Sequence, residues 1–205
     1  MNPLNSLDDI NNYFGDLDLF LLDQLLKGNI RSGKVLELGF GDGRNLLHFL
    51  QAGYEVHGVD LDPSSIALMK AFAKNLKQGC PENFIKTSAT DLPYDDAFFD
   101  TVICCRLFHF LSDQDKKIAW HQIHRVLRPN GICYFTANST INFEHSIVGH
   151  EEGQHSFPDG TQGYMLNQKH LSAFLTDSGF KQIEPTRHIQ YDDQHAETIL
   201  VLQKN

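Results

Sequence analysis

Val35-Leu36-Glu37-Leu38-Gly39-Phe40-Gly41-Asp42-Gly43 is a short apolar run that ends in three alternating glycines, and helical spacing resumes just beyond it at Leu46, Leu47 and Leu50. That order reads as strand, glycine turn, helix. The pattern then recurs. Glu55 to Val59 reads as a second strand, Pro63-Ser64 opens a helix to about Lys77, and Phe84 to Thr87 is a third strand. Asp100 to Cys105 is a fourth strand. Ser112 with Asp115 forms a capping box for a helix ending near Leu127, and Pro129-Asn130-Gly131 turns the chain into a fifth strand, Ile132 to Thr136. Parallel strands need crossover connections, so strands alternating with helices of about 10 to 15 residues predict a mostly parallel sheet covered on both faces. The fold class expected is α/β, doubly wound.

On the N-terminal side, Ile10, Tyr13, Phe14, Leu17, Leu21 and Leu25 recur at helical spacing between Ser6, as N-cap, and Gly28, as stop, with Gly15 as a point of division. On the C-terminal side a helix is expected over Asn167 to Ser178. Two strand-like runs follow, Phe180 to Ile189 and Glu197 to Gln203, joined through Tyr191-Asp192-Asp193-Gln194 as a terminal β-hairpin. Between them and the fifth strand, Asn138 to Leu166 holds Gly149, Gly153, Pro158, Gly160, Gly163 and three histidines without periodicity, the profile of a functional loop or cap. One domain is therefore expected over 1–205: a helical N-terminal cap (1–32), a core (33–137), an insert over a substrate pocket (138–166), and a helix with hairpin (167–205).

With 205 residues, 41% of them hydrophobic and 21% charged, the chain can bury a sizeable core, which excludes disordered and fibrous classes. The formal net charge of −9, with no cluster of Lys and Arg, argues against a nucleic-acid partner. The longest apolar stretches, near Leu17–Leu26 and Val102–Leu111, are broken by Asp18, Asp23, Arg106 and His109. Neither approaches the roughly 20 apolar residues of a membrane span. Met1 to Asp9 lacks the features of a signal peptide, and Cys80, Cys104, Cys105 and Cys133 include no CxxC pair, so a reducing cytoplasm is the expected location. The sequence leaves the oligomeric state open.

Ligands of open α/β sheets bind at the carboxyl ends of the strands. The glycine turn sits there after the first strand, and Asp60 ends the second, where a carboxylate can accept from both hydroxyls of a ribose. Together they read as a site for an adenosine-containing cofactor. A dinucleotide fingerprint needs glycine at position 44, where this chain has Arg44. Glu37 and Asp42 place two carboxylates in and beside the turn, unfavourable for a pyrophosphate and favourable for an ammonium group.

The run 35–43, with Val59-Asp60, resembles the nucleotide motifs of class I S-adenosylmethionine-dependent methyltransferases. Asp91-Leu92-Pro93-Tyr94, Phe99-Asp100-Thr101-Val102-Ile103, Leu107-Phe108-His109-Phe110 and Arg125-Val126-Leu127-Arg128-Pro129-Asn130-Gly131 follow in order. They are similar to signatures of the methyltransferase type 11 branch, which includes quinone-biosynthesis and tellurite-resistance type enzymes. The resemblance implies a seven-stranded sheet of order 3-2-1-4-5-7-6 with an antiparallel last strand, S-adenosyl-L-methionine as cofactor, and a small-molecule acceptor. It implies that Glu37, Gly39 and Gly41 hold the methionine end, Asp60 the ribose, and Leu61 one face of the adenine. Asn45, Ala89 and Thr90 also fall on the cofactor surface. Ser88 stands where the family commonly has an acid for the adenine amino group, and Cys105 and Arg106 would contact the methionine portion mainly through backbone.

Methyl transfer from a sulfonium is dominated by positioning, and few catalytic side chains are required. A neutral OH or NH acceptor benefits from a base; His109, after the fourth strand, is the candidate, and a packing role is the alternative. Tyr13 could close over the donor or belong to the core. His145, His150 and His155, with Glu144, Glu151 and Glu152, invite a metal reading, but their spacing does not share a helix face, so a polar substrate cap is expected and no metal. Asp159 in Pro158-Asp159-Gly160 reads as a turn residue, and Trp120, His121 and His124 as surface and packing positions. Two other function classes stay open: a non-catalytic binder of S-adenosylmethionine or S-adenosylhomocysteine, and a nicotinamide-dependent oxidoreductase, which Arg44 and Asp42 disfavour.

Overall fold

Val35, Leu36 and Leu38 are all fully buried, the signature of a parallel strand covered on both faces rather than one with a wet side. In the computed structural model the described residues are 17–76, 79–139, 155–156, 162–163, 165–176, 178–191 and 196–205. They fall into two units, 1–88 and 89–205. Several expectations lie outside the described residues: the helix start at Ser6 with Ile10, Tyr13 and Phe14, the side chains of His145, His150 and His155 with Glu144, Glu151 and Glu152, the turn at Pro158-Asp159-Gly160, and Asp192 to Gln194.

The first unit holds α1 (Leu19–Leu26), β1 (Lys34–Leu38), α2 (Arg44–Gln51), β2 (Glu55–Asp60), α3 (Pro63–Lys74) and β3 (Phe84–Lys86). Its strands lie in the order β3-β2-β1, all parallel, with Leu38 opposite Val59 and Val59 opposite Ile85. Two helices of this unit, α3 and α1, are started by side-chain caps. Asp62 caps α3 by accepting from the Ser64 and Ser65 N–H groups, and Pro63 occupies the first turn, where a missing N–H costs nothing. For α1 the cap is Asp18, whose Oδ1 accepts from the Phe20 and Leu21 N–H groups at 3.0 Å each.

The second unit holds β4 (Phe99–Cys105), a 3-10 turn (Phe108–Phe110), α4 (Asp113–Val126), β5 (Leu127–Asn138), the short pair β6 (His155–Ser156) and β7 (Gln162–Gly163), α5 (Gln168–Leu175), β8 (Phe180–Gln182), β9 (Arg187–Gln190) and β10 (Ala196–Lys204). β4 and β5 are parallel, and β10 runs antiparallel to β5 from Glu197 opposite Asn138 to Gln203 opposite Ile132. The antiparallel last strand thus lies inside the penultimate segment, as the family resemblance implies. That segment differs from the single strand expected at Phe180 to Ile189. It is two strands, β8 and β9, that share the far edge of β10 on either side of Pro185. Proline supplies no ladder donor and interrupts the pairing. Within the insert, β6 and β7 form an antiparallel pair, and β7 lies against the 3-10 turn that carries His109.

Two contacts organise this unit. Trp120, read from sequence as a surface or packing position, is 6% exposed and stacks on Phe174 at 4.4 Å between ring centroids, with Phe108, Phe135 and Phe180 around it. This aromatic knot joins α4 and α5 to β5 and β8. Arg125 donates to the carbonyls of Leu92 (2.9 Å) and Tyr94 (2.7 Å) and to Asp96 Oδ1 (2.9 Å), so two of the sequence blocks quoted above are halves of one clamp. Among the described residues no helix is long and apolar enough to cross a membrane. Replacing Trp120 by Ala empties the centre of the aromatic cluster and is expected to lower stability by about 3–5 kcal/mol, read as the shift in urea midpoint.

Candidate functional site

Three residues in the left-handed region within five positions, Gly39 (φ 64°), Gly41 (φ 54°) and Gly43 (φ 76°), carry the chain from β1 into α2. Only glycine adopts that conformation without strain. A side chain at Gly43 would also meet the Met69 Sδ of α3, whereas a Cβ at Gly41 would enter open space. The turn is therefore tight against the helix side at Gly43 and open at Gly41.

Asp60, at the end of β2, anchors this turn. Its Oδ2 accepts the Gly41 N–H at 2.9 Å and its Oδ1 accepts the Asp62 N–H at 2.9 Å. Each oxygen accepts one backbone N–H, and a carboxylate has further lone pairs for a diol. Leu61 beside it is 63% exposed and offers an apolar surface. Phe40 packs beneath the turn: it meets Phe84 edge to face at 5.9 Å, and the close approach of its ring leaves no room for a side chain at Gly58.

Glu37 ends β1 and is 3% exposed. Its Oε1 accepts from Asn45 Nδ2 at 2.8 Å, while Oε2 is buried and has no hydrogen-bond partner. Burial is the largest influence on this carboxyl and pushes its pKa up to about 8, against the Asn45 donor and Arg44, which pull it down, and with Asp42 and Asp18, which push it further up. An enclosed carboxyl with one bare oxygen suits an incoming cation. Asn45 in turn accepts the Asp18 N–H on Oδ1 at 3.0 Å. Asp18 is a member of the site that the sequence reading missed, since a helix cap carries no sign of a contact 27 residues away.

Glu37, Gly39, Gly41, Asn45 and Asp60 are thus brought together within the first unit. Ser88, at the end of that unit, is half-buried. The other expected residues belong to the second unit. Ala89 is buried and Thr90 half-buried. At the end of β4 Cys105 is half-buried, and Arg106 has φ 52°, an unusual conformation for a residue with a side chain. The expected backbone contact from Arg106 is narrowed, because its N–H is already given to the Thr136 carbonyl at 2.8 Å. Its guanidinium Nε lies 4.0 Å from Oε1 of the buried Glu197, whose Oε2 accepts from the Tyr191 hydroxyl at 3.0 Å. His109 sits in the 3-10 turn, 6% exposed, with its ring 4.1 Å from that of Phe110. Among the described residues no group of three or more His, Cys, Asp or Glu could hold a metal ion.

Residues 36–135, a little under half of the chain, match the family model described as a methyltransferase domain. A ubiquinone biosynthesis O-methyltransferase of Pseudomonas syringae is 26% identical over 163 residues, covering 76% of this chain and 67% of that protein. The chain spans about half the length of other curated relatives it matches, among them a putative methyltransferase of Bacillus subtilis. A solved S-adenosylmethionine-dependent methyltransferase of Methanosarcina mazei superposes with a TM-score of 0.71 at 18% identity, over 88% of this chain and 96% of that one. A Burkholderia thailandensis 1,6-didemethyltoxoflavin N1-methyltransferase, solved with S-adenosylhomocysteine, gives 0.68 at 18% identity over 97% and 86%. The fold is that of these structures, the doubly wound α/β class expected from the alternation of strands and helices.

The buried Glu37 carboxyl makes a stability prediction of definite sign. Its folded pKa of about 8 lies above the ordinary 4.5, so the folded state keeps a proton that the unfolded state has lost between those values, and stability from this group falls as pH rises. Glu37→Gln removes that loss. Its stability advantage over the natural protein should be near zero at about pH 4.5 and reach the order of a few kcal/mol by about pH 8, measured by urea unfolding across pH.

Proposed function

We propose that the chain is an S-adenosylmethionine-dependent methyltransferase that transfers a methyl group to a small-molecule acceptor by in-line displacement. The observation that carries the reading is the pair of carboxyls at successive strand ends with the glycine turn between them: Asp60, holding the Gly41 N–H, and Glu37, buried with one bare oxygen. Asp60 suits a ribose diol, and Glu37 suits an ammonium and opposes a phosphate. The open space at Gly41 and the exposed face of Leu61 fit a nucleoside laid along the turn. When bound, the cofactor supplies an electrophilic methyl on a sulfonium.

The chain's own residues then bind and orient. Asp60 fixes the ribose, Leu61 flanks the adenine, and Ser88, Ala89 and Thr90 border it. A hydroxyl at Ser88 accepts from an adenine amino group less strongly than a carboxylate does. Glu37 and the glycine backbone take the amino-acid end, and Cys105 with the carbonyl of Arg106 lines the methionine portion. His109, in the turn against which β7 of the insert lies, is the base proposed for an OH or NH acceptor. The toxoflavin-precursor methyltransferase and the ubiquinone enzyme, both named for small acceptors, support the acceptor class; the non-catalytic alternative gains no support from the comparisons. The charge of −9 opposes a nucleic-acid substrate. We read the chain as one methyltransferase domain in which residues 1–32 and 138–166 shape the acceptor pocket. Cys80 and Cys133 are free thiols, in keeping with a cytoplasmic location.

Calorimetric titration of the purified chain tests the cofactor. S-adenosylmethionine and S-adenosylhomocysteine are expected to bind with micromolar affinity, NADH not at all, and Asp60→Ala to weaken the first two at least about tenfold, since two hydroxyl bonds to a charged acceptor are lost. Binding of NADH alone, or of none of the three, would overturn the reading. For catalysis, candidate acceptors are screened by formation of S-adenosylhomocysteine. With an OH or NH acceptor, His109→Gln is expected to lower turnover by about 10²- to 10⁴-fold while cofactor affinity stays within twofold. A drop in affinity matching the loss of turnover would assign His109 to packing instead.

A further inference from the structure

Asn45 lies in the first turn of α2, is 2% exposed, and uses both ends of its carboxamide. Nδ2 donates to Glu37 Oε1 at 2.8 Å, and Oδ1 accepts the backbone N–H of Asp18, the cap of α1, at 3.0 Å. The second bond fixes the first. With the oxygen engaged by a backbone donor, the amide is oriented so that its NH₂ faces the carboxyl, and it presents a donor there rather than an acceptor. Glu37 is therefore filled on Oε1 and bare on Oε2.

The charged groups around Glu37 come from three elements: Arg44 at the start of α2, Asp42 in the glycine turn and Asp18 at the cap of α1. Arg44 favours the carboxylate, and Asp42 and Asp18 oppose it. Asn45 is the hydrogen-bond donor in this set and acts with Arg44 against burial.

We propose that Asn45 is a positioning residue that does not touch the cofactor but, braced by α1 through the Asp18 N–H, holds Glu37 as the partner for the ammonium at the cofactor's amino-acid end. This rests on the methyltransferase reading above and assigns Asn45 a role different from the direct cofactor contact expected of it. It also makes the seating of α1 and the grip on the amino-acid end depend on one side chain. A ligand with the same nucleoside but no amino-acid end is indifferent to Asn45.

The test compares S-adenosylhomocysteine with 5′-methylthioadenosine, which lacks the amino-acid end, by calorimetry on the full chain from about pH 6 to pH 8.5. In the natural protein S-adenosylhomocysteine should tighten as pH rises and Glu37 sheds its proton, while 5′-methylthioadenosine stays level. In Asn45→Ala the rise should move to higher pH. Near pH 7.5 the loss for S-adenosylhomocysteine should be about tenfold, one pKa unit, with 5′-methylthioadenosine within twofold. In a Glu37→Gln background the same Asn45 substitution should cost less than twofold, because there is no ionisation left to govern. Retained 5′-methylthioadenosine binding also reports that the variant is folded; if Asn45→Ala is not, Asn45→Ser is read by the same criteria. Equal losses for both ligands, an unmoved pH profile, or the same loss in the Glu37→Gln background would overturn the proposal. Failure of the natural protein to bind either ligand would instead overturn the cofactor reading, and this inference with it.

Discussion

The hydrogen bond from the Gly41 N–H to Asp60 Oδ2, 2.9 Å long, joins residues 19 apart and ties the turn after β1 to the end of β2. It sets the shape of everything the first unit offers a ligand. Three left-handed glycines make the turn possible, but a turn of glycines is entropically costly to order. A carboxylate at the end of the neighbouring strand, itself braced by the Asp62 N–H at the start of α3, offsets that cost and leaves its remaining lone pairs facing outward chemistry. The same side chain thus builds the turn and offers the ligand an acceptor.

Glu37 works in the opposite sense. A carboxyl at the end of a fully buried strand is held there against its own solvation, and only one of its oxygens is compensated. Such a group weakens the empty protein at neutral and alkaline pH. Its retention makes physical sense where a cation arrives to neutralise it. Asn45 and Asp18 extend that arrangement into α1, so that the N-terminal helix is fastened to the same polar core as the turn.

In the second unit the supports are of another kind. The aromatic cluster around Trp120 holds α4 and α5 to β5 and β8, and the Arg125 guanidinium satisfies the carbonyls of a loop that forms no ladder of its own. Lys204, near the end of β10, does the same where α4 passes into β5, donating to the carbonyls of His124 and Leu127 at 2.7 Å each. These contacts leave the end of β4 to the strained backbone of Arg106 and the buried His109, the positions at which the proposed chemistry is assigned.

The sequence by itself determined the alternation of strands and helices, the glycine turn, the acid at the end of the second strand and the family motifs that the central stretch resembles. Each of these is written in local spacing: a period of residues, a glycine where φ must be positive, a cap ahead of a helix. The split of the penultimate strand was also legible in principle, since Pro185 stands in it and removes a donor, but the strand-like pattern on either side outweighed one residue. Only the tertiary structure decided that Asn45 faces Glu37 and Asp18 rather than open space, that Trp120 lies at the centre of a cluster, that Arg125 clamps a loop some thirty residues upstream, and that the Arg106 N–H is already taken. These depend on partners far apart in the chain. Burial and long-range hydrogen bonding are properties of the packed chain, and no local pattern of residue types encodes which distant group will stand at 3 Å.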